Sequence, residues 1–275
     1  ACLKTVVSLL LDREHLSYVL DRAVEVLSRE PVMLRLDFTQ VLVVGDTHGD
    51  YISTRKALEY ARDRGLPVVF LGDYVDRGPQ QIENITAVLE AKLENPSRVY
   101  LLRGNHETPS MNMYYGFYDT VTLTLGREWY SRFIECFKHM PYVASLRKRV
   151  VMLHGGLPQG VKALEDLEKA SKGVEEPEDG LTLQIMWNDP SEYVDGFAPS
   201  PRGGEARLFG GDVLSSFMKN NNLCLMIRAH EPKPEGYELL FNGLILTVFS
   251  CRYYGIKPKA ALVEDCGKIK LIDLG

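Results

Sequence analysis

Cysteine is scarce in this 275-residue chain, and the five that occur stand singly at positions 2, 136, 224, 251 and 266. An odd number without CxxC spacing excludes a zinc knuckle, and it fits reduced thiols in a cytoplasmic protein better than a disulfide framework. Long hydrophobic runs are missing too. The one near the amino terminus, Thr5 to Leu11, is too short to span a bilayer and has no small-residue cleavage site after it, so it reads as a helix of a soluble protein. An excess of basic residues is likewise absent: the net charge is −5 and the pI about 5.8. Neither a nucleic-acid backbone nor an anionic membrane is therefore expected as the main partner. Repeats, low-complexity tracts and an interdomain linker are all lacking, which leads us to expect one domain over residues 1–275.

What the chain does have is a recurring unit, an apolar run followed by a polar cluster. Val41-Leu-Val-Val44 stops at Gly45-Asp-Thr-His-Gly49, and Val68-Val-Phe-Leu71 stops at Gly72-Asp-Tyr-Val-Asp-Arg-Gly78. Val99-Tyr-Leu-Leu102 leads into Arg103-Gly-Asn-His-Glu107, Val150-Val-Met-Leu153 into His154-Gly-Gly156, and Leu223-Cys-Leu-Met-Ile227 into Arg228-Ala-His230-Glu231. Each run reads as a buried strand, and helical periodicity predicts helices near 16–27, 53–64, 79–93, 127–140 and 212–219. Residues 164–180 read as a surface helix and loop, and Trp187 to Gly204 as a long irregular connection. Such an α/β or α/β/β chain collects its polar clusters at the carboxyl ends of the strands, where open sheets bind ligands.

Four of the six histidines, His48, His106, His154 and His230, follow an apolar strand directly. A lone histidine there is usually structural, but four such placements point to one site. With Asp46, Asp73 and Asn105 they make a nitrogen and oxygen donor set too large for one cation and sufficient for two. A carboxylate bridges two cations best, because each oxygen takes one and its charge offsets their repulsion; Asp73 is the candidate. Two cations about 3.5–4 Å apart acidify a shared water and stabilise both oxygens of an in-line displacement at phosphorus. The donor mix suits Mn²⁺ first, with Fe and Zn²⁺ as alternatives, better than an all-oxygen Mg²⁺ site.

The order and spacing of these five clusters, over about residues 30 to 255, resemble the signature motifs of the phosphoprotein phosphatase family of serine/threonine phosphatases, within the metallophosphoesterase superfamily. The resemblance implies a four-layer α/β/β/α sandwich with a dinuclear metal site at the strand ends. Carried over by position, it assigns Asp46 and His48 to the first metal with Asp73 bridging, and Asn105, His154 and His230 to the second. Arg77, Arg202 (in Pro201-Arg-Gly-Gly204) and Asn105 would hold the substrate phosphate, His106 would be the general acid, and Asp76 would orient its imidazole. The implied reaction is hydrolysis of phosphoserine and phosphothreonine monoesters by direct attack of a metal-bridging water or hydroxide.

The clearest departure from the family follows the strand at 244–249. Many eukaryotic relatives carry Ser-Ala-Pro-Asn-Tyr-Cys-Gly there, whereas this chain has the shorter Ser250-Cys-Arg-Tyr-Tyr-Gly255. Counting back from Gly255 matches Tyr253 to the active-site tyrosine, with Tyr254 as the alternative. The lack of long extensions beyond the motifs leads us to expect a free-standing catalytic unit of the archaeal or bacterial sort, with phosphoprotein substrates as partners and regulatory subunits left open. A hydrolase of small phosphoesters or dinucleoside polyphosphates is the alternative enzyme, because similar metal motifs serve those substrates. A silent scaffold of the same fold is the non-enzyme alternative, and retention of His106 and Asp76 beside the ligand set argues against it.

Overall fold

The computed structural model describes residues 12–264 and 268–275. The run Thr5–Leu11, read above as a helix, and residues 265–267 lie outside the described residues. Helix α1 (Arg13–Arg29) opens at Asp12, whose carboxylate accepts from the Glu14 and His15 N–H groups, and it buries the stripe Leu16, Val19, Leu20, Ala23 and Leu27. A cap that satisfies the first free amides and one apolar face are what a helix on a sheet requires.

Two sheets form the centre. One has the order β14-β13-β2-β3-β4, from β2 (Gln40–Val44), β3 (Val68–Phe70), β4 (Val99–Leu101), β13 (Lys259–Glu264) and β14 (Ile269–Asp273). The other runs β1-β5-β6-β10-β12-β11, from β1 (Met33–Leu36), β5 (Val143–Leu146), β6 (Val150–Leu153), β10 (Leu225–Arg228), β11 (Tyr237–Leu240) and β12 (Ile245–Val248). Alternation within β2 explains the layering. Val41 and Val43 face the second sheet with Ala144, Val150, Ile227 and Leu246, while Leu42 and Val44 face outward into a helical core. That outer layer is α1 with α2 (Tyr51–Asp63), α3 (Gln81–Glu94), α4 (Pro109–Tyr115), α5 (Phe117–Thr124) and α6 (Arg127–Lys138). On the far side, α7 (Gly180–Trp187) and α8 (Gly211–Asn220) bury Ile185, Met186, Leu214 and Phe217 against Val151 and Met226. The result is the four-layer α/β/β/α sandwich.

Strand direction decides where the chemistry collects. β2, β3 and β4 are mutually parallel, as are β6, β10 and β12. Their carboxyl ends therefore share one edge, and a parallel bridge between Asp46 and Phe249 joins the two sheets there. Gly45 makes that approach feasible: a Cβ on it would stand 2.0 Å from the Val248 carbonyl oxygen.

The segment read as irregular holds a small third sheet, β7 (Asp189–Pro190), β9 (Arg207–Phe209) and β8 (Phe197–Pro199). Its strands are too short to show periodicity and form through pairing across the loop. Among the described residues, no helix is long and apolar enough to cross a membrane. A cavity of about 370 Å³ opens between α2 and α3, but none of the clustered histidines or their carboxylates lines it.

Candidate active site

Three of the five polar clusters, the first, second and fifth, leave their strands through left-handed backbone. Among the described non-glycine residues with positive φ are His48, Asp73, Asp76, Arg77 and His230. Left-handed backbone costs energy for such residues and persists only where the surroundings over-determine it, which is typical of functional loops. The turns here are held by buried hydrogen bonds. Thr47 and His48 donate their N–H groups to the Asp73 carbonyl, at 3.0 and 2.9 Å. Glu107, fully buried, accepts from the N–H groups of Asp73 (2.7 Å), Tyr74 (2.8 Å) and Gly104 (2.9 Å). Burial, together with the charge of Asp73, pushes the Glu107 carboxyl up to about 8.

Asp73 is the meeting point. Its Oδ2 lies 3.6 Å from His48 Nε2, 3.4 Å from His154 Nε2 and 4.0 Å from His106 Nε2. His48 Nδ1 bonds the Val75 carbonyl and His154 Nδ1 the Leu71 carbonyl, so both rings present Nε2 to the carboxylate. Asp46 Oδ2 stands 3.6 Å from His48 Nε2, and Asp46 Oδ1 accepts from the His230 N–H at 3.0 Å. On the other side His154 Nε2 lies 2.9 Å from Asn105 Oδ1 and 3.2 Å from His230 Nδ1.

These residues fit a pair of cations. His48, Asp73 and His106 form one group whose ligating atoms lie within 4.8 Å of one another, and Asp73, His154 and His230 form a second; the first group holds His106 where the resemblance puts Asp46, whose Oδ2 stands 3.6 Å from His48 Nε2. Asp73 belongs to both. The electrostatics call for positive charge. Burial alone would lower the imidazole of His48, yet Asp46 and Asp73 raise it to about 9, and Asp73 raises that of His154. Burial alone would raise the Asp73 carboxyl, but His154, His106 and His48 hold it well below the usual range. His230, whose Nε2 is buried without a hydrogen-bond partner, is pushed well below its ordinary value by burial and by the charges of His154 and Arg202.

A second constellation adjoins the first. His106 Nδ1 lies 2.7 Å from Asp76 Oδ2, so Asp76 directs the other ring nitrogen into the cleft. Asp76 is itself fixed by the Phe117 N–H at 2.9 Å and by Asn112 Nδ2 at 3.0 Å. The Arg77 guanidinium packs 4.2 Å over the Tyr115 ring. Arg202 is tethered to Asp189, which also accepts from Arg228 at 2.7 Å. Arg228 is fully buried and spends its other donors on the Gly155 and Asn188 carbonyls and on Glu231, which makes it a brace for this corner.

The structure thus brings Asp46, His48, Asp73, Arg77, Asn105, His106, Arg202 and His230 around one cleft of about 120 Å³, with His154 buried behind it and Asp76 behind His106. Tyr253 is the exception. Tyr254 lines the cleft, whereas Tyr253 packs on Gly78, its Cε2 3.0 Å from where a Cβ would stand. The reason is a turn that the residue count does not contain: Arg252 is anchored to Asp50, and Gly255 adopts φ +68°, which together rotate residue 254 inward. Sequence reasoning also assigned no role to the cleft wall of Met111, Tyr115, Trp187 and Phe249. It assigned none to Glu107 or Asn112, although Glu107 stands inside the third motif.

A family model described as calcineurin-like phosphoesterase matches residues 39–234. Among solved structures, the chain is similar to a protein serine/threonine phosphatase from Saccharomyces cerevisiae with similarity to human phosphatase PP5. Identity to it is 26%, 94% of this chain and 89% of that chain are covered, and the TM-score is 0.86. A cold-active protein-tyrosine phosphatase of a psychrophile, Shewanella sp., shares the fold at 17% identity, with 91% and 84% covered and a TM-score of 0.64. The ordered motifs, the paired donor groups and the family match lead to one conclusion: the chain belongs to the calcineurin-like phosphoesterase family and is a phosphoric ester hydrolase of the phosphoprotein phosphatase type.

Proposed function

We propose that the chain is a divalent-cation-dependent protein serine/threonine phosphatase, acting in the cytoplasm as one catalytic domain on phosphoprotein substrates. The observation that carries this reading is the size and lining of the cleft. Its volume of about 120 Å³ is walled by His106 and the two arginines, whereas pockets that engulf small-molecule ligands span about 300–1,000 Å³. A phosphoryl group enters such a cleft while the rest of a protein substrate stays outside. A dinucleoside polyphosphate would need enclosure for its bases.

The side chains then take the following parts. Asp46, His48 and Asp73 would hold one cation, and Asp73, Asn105, His154 and His230 the other. Two such ions, Mn²⁺ in our reading, supply Lewis-acid chemistry: they make the attacking water more acidic and neutralise charge at phosphorus. Arg77 and Arg202 orient the phosphoryl oxygens, since planar guanidinium groups pair with two oxygens at once. Each is held in advance, Arg77 by the Tyr115 ring and Arg202 by Asp189. His106 Nε2 gives a proton to the leaving seryl or threonyl oxygen, which as an alkoxide leaves poorly. Asp76 keeps Nδ1–H engaged and so fixes which nitrogen donates.

Phosphate release by metal-stripped protein, with and without Mn²⁺, tests the reading on phosphoserine and phosphothreonine peptides alongside a dinucleoside polyphosphate. Mn²⁺-dependent release from the peptides is expected. Turnover of the nucleotide alone would replace the function.

A further inference from the structure

Arg252 takes no part in the chemistry above, yet it ties the Ser250–Gly255 loop to the first motif of the chain. Asp50 Oδ2 accepts from the Arg252 N–H and from its Nε, both at 3.0 Å, while the guanidinium reaches Ser53 Oγ at 3.2 Å. Asp50 is completely buried and caps α2, with Oδ1 accepting from the Ser53 N–H at 3.1 Å. The anchor is therefore a rigid one, and charge-assisted bonds of this kind are the strong ones. Two residues earlier, Ser250 Oγ accepts from the Gly45 N–H at 2.9 Å and donates to the Lys259 carbonyl at 2.6 Å. The loop is thus pinned at residues 250 and 252 before it delivers Tyr254.

The Tyr254 ring stands 5.7 Å from Phe249 and 6.2 Å from His48. The Arg77 guanidinium lies 5.8 Å over its face and 4.2 Å over the face of Tyr115. Two tyrosine rings therefore flank Arg77, and both line the cleft. Tyr254 is 39% exposed, so its outer side is open to solvent.

We infer that Arg252 is a specificity-determining positioning residue: through Asp50 it holds Tyr254 as a fixed wall, so that the mouth admits the slender side chains of phosphoserine and phosphothreonine in preference to the ring of phosphotyrosine. The inference rests on the phosphomonoesterase reading above. A seryl or threonyl phosphate brings only a short alkyl stem into the cleft of about 120 Å³ that Tyr254 helps to line, whereas phosphotyrosine must bring six ring carbons past it. Removing the guanidinium leaves the Arg252 N–H on Asp50, so the loop keeps one tie while its wall loosens.

The test compares wild type, Arg252→Ala and Arg252→Lys on peptides identical except for phosphothreonine or phosphotyrosine. The ratio of kcat/KM for phosphotyrosine over phosphothreonine is expected to rise roughly tenfold in Arg252→Ala, the scale of one altered pocket contact, and to rise mainly through KM. Arg252→Lys should show a smaller rise, because an ammonium keeps the charge without the planar fork. An unchanged or lower ratio, or equal losses on both peptides, overturns the inference. A crystal structure of Arg252→Ala gives an independent readout: displacement of the Tyr254 ring from its 5.7 Å separation from Phe249 supports the tether, and an unmoved ring overturns it. Wild-type protein inactive on both peptides would instead defeat the proposed function, and the position of Tyr254 would still decide the tether.

Discussion

Asp73→Asn is expected to lower phosphatase activity by on the order of a thousandfold, because it removes the several kcal/mol of charge stabilisation that a bound cation pair provides. The substitution is nearly isosteric. The introduced amide would retain an oxygen for the His106 N–H, which now donates to Asp73 Oδ1 at 2.9 Å, so the loop keeps its shape. What changes is charge. Asp73 Oδ2 is the atom shared by His48 on one side and His154 on the other, and a neutral amide cannot offset two dications. Titration calorimetry should find two Mn²⁺ ions per wild-type chain and fewer, weaker ones in the variant, with an unchanged circular dichroism spectrum. Full activity with two tightly bound ions in the variant would remove Asp73 from the bridging role.

His106→Asn is expected to act selectively. Loss of a positioned proton donor costs about 10²–10⁴-fold where the leaving group needs the proton, so phosphoserine peptides should suffer on that scale. p-Nitrophenyl phosphate, whose phenolate departs unaided, should lose far less. The structure gives the reason for choosing this histidine over its neighbours. His48 and His154 each commit Nδ1 to a backbone carbonyl, whereas His106 commits Nδ1 to a carboxylate, Asp76, which stabilises the protonated ring. Burial pulls the His106 imidazole down, with Asp73 and Asp76 opposing it; an arriving phosphate dianion adds to that opposition. Equal losses on both substrates would show that the ring serves structure alone.

Much of this site was legible in the chain because strand ends announce themselves. A β-branched run that stops at Gly-Asp or at histidine is a local signal, and parallel strands place such ends along one edge without further information. Hence the positions of His48, Asp73, His106, His154 and His230 could be read before any geometry. The walls of the cleft could not. Met111 and Tyr115 lie on the short helix α4, and Trp187 ends α7; neither helix offers enough turns for a periodic signal. Strands β1, β5 and β11 also passed unread, since four residues beside turns look alike in strand or loop. The choice between Tyr253 and Tyr254 depended on a contact across 202 residues of sequence, from Arg252 to Asp50, which counting cannot supply. Glu107 presents the converse case: it was visible inside a motif, but its task of gathering three backbone N–H groups exists only once β3 and β4 are paired.

Anomalous diffraction from crystals of Mn²⁺-loaded protein would decide whether the cleft holds a cation pair joined by Asp73. Two peaks are expected about 3.5–4 Å apart, the spacing at which two ions share an attacking water, with the Asp73 carboxylate between them. Asp46 and His48 should flank one peak, and Asn105, His154 and His230 the other. A single peak, or a pair of peaks that Asp73 does not join, would contradict the dinuclear site.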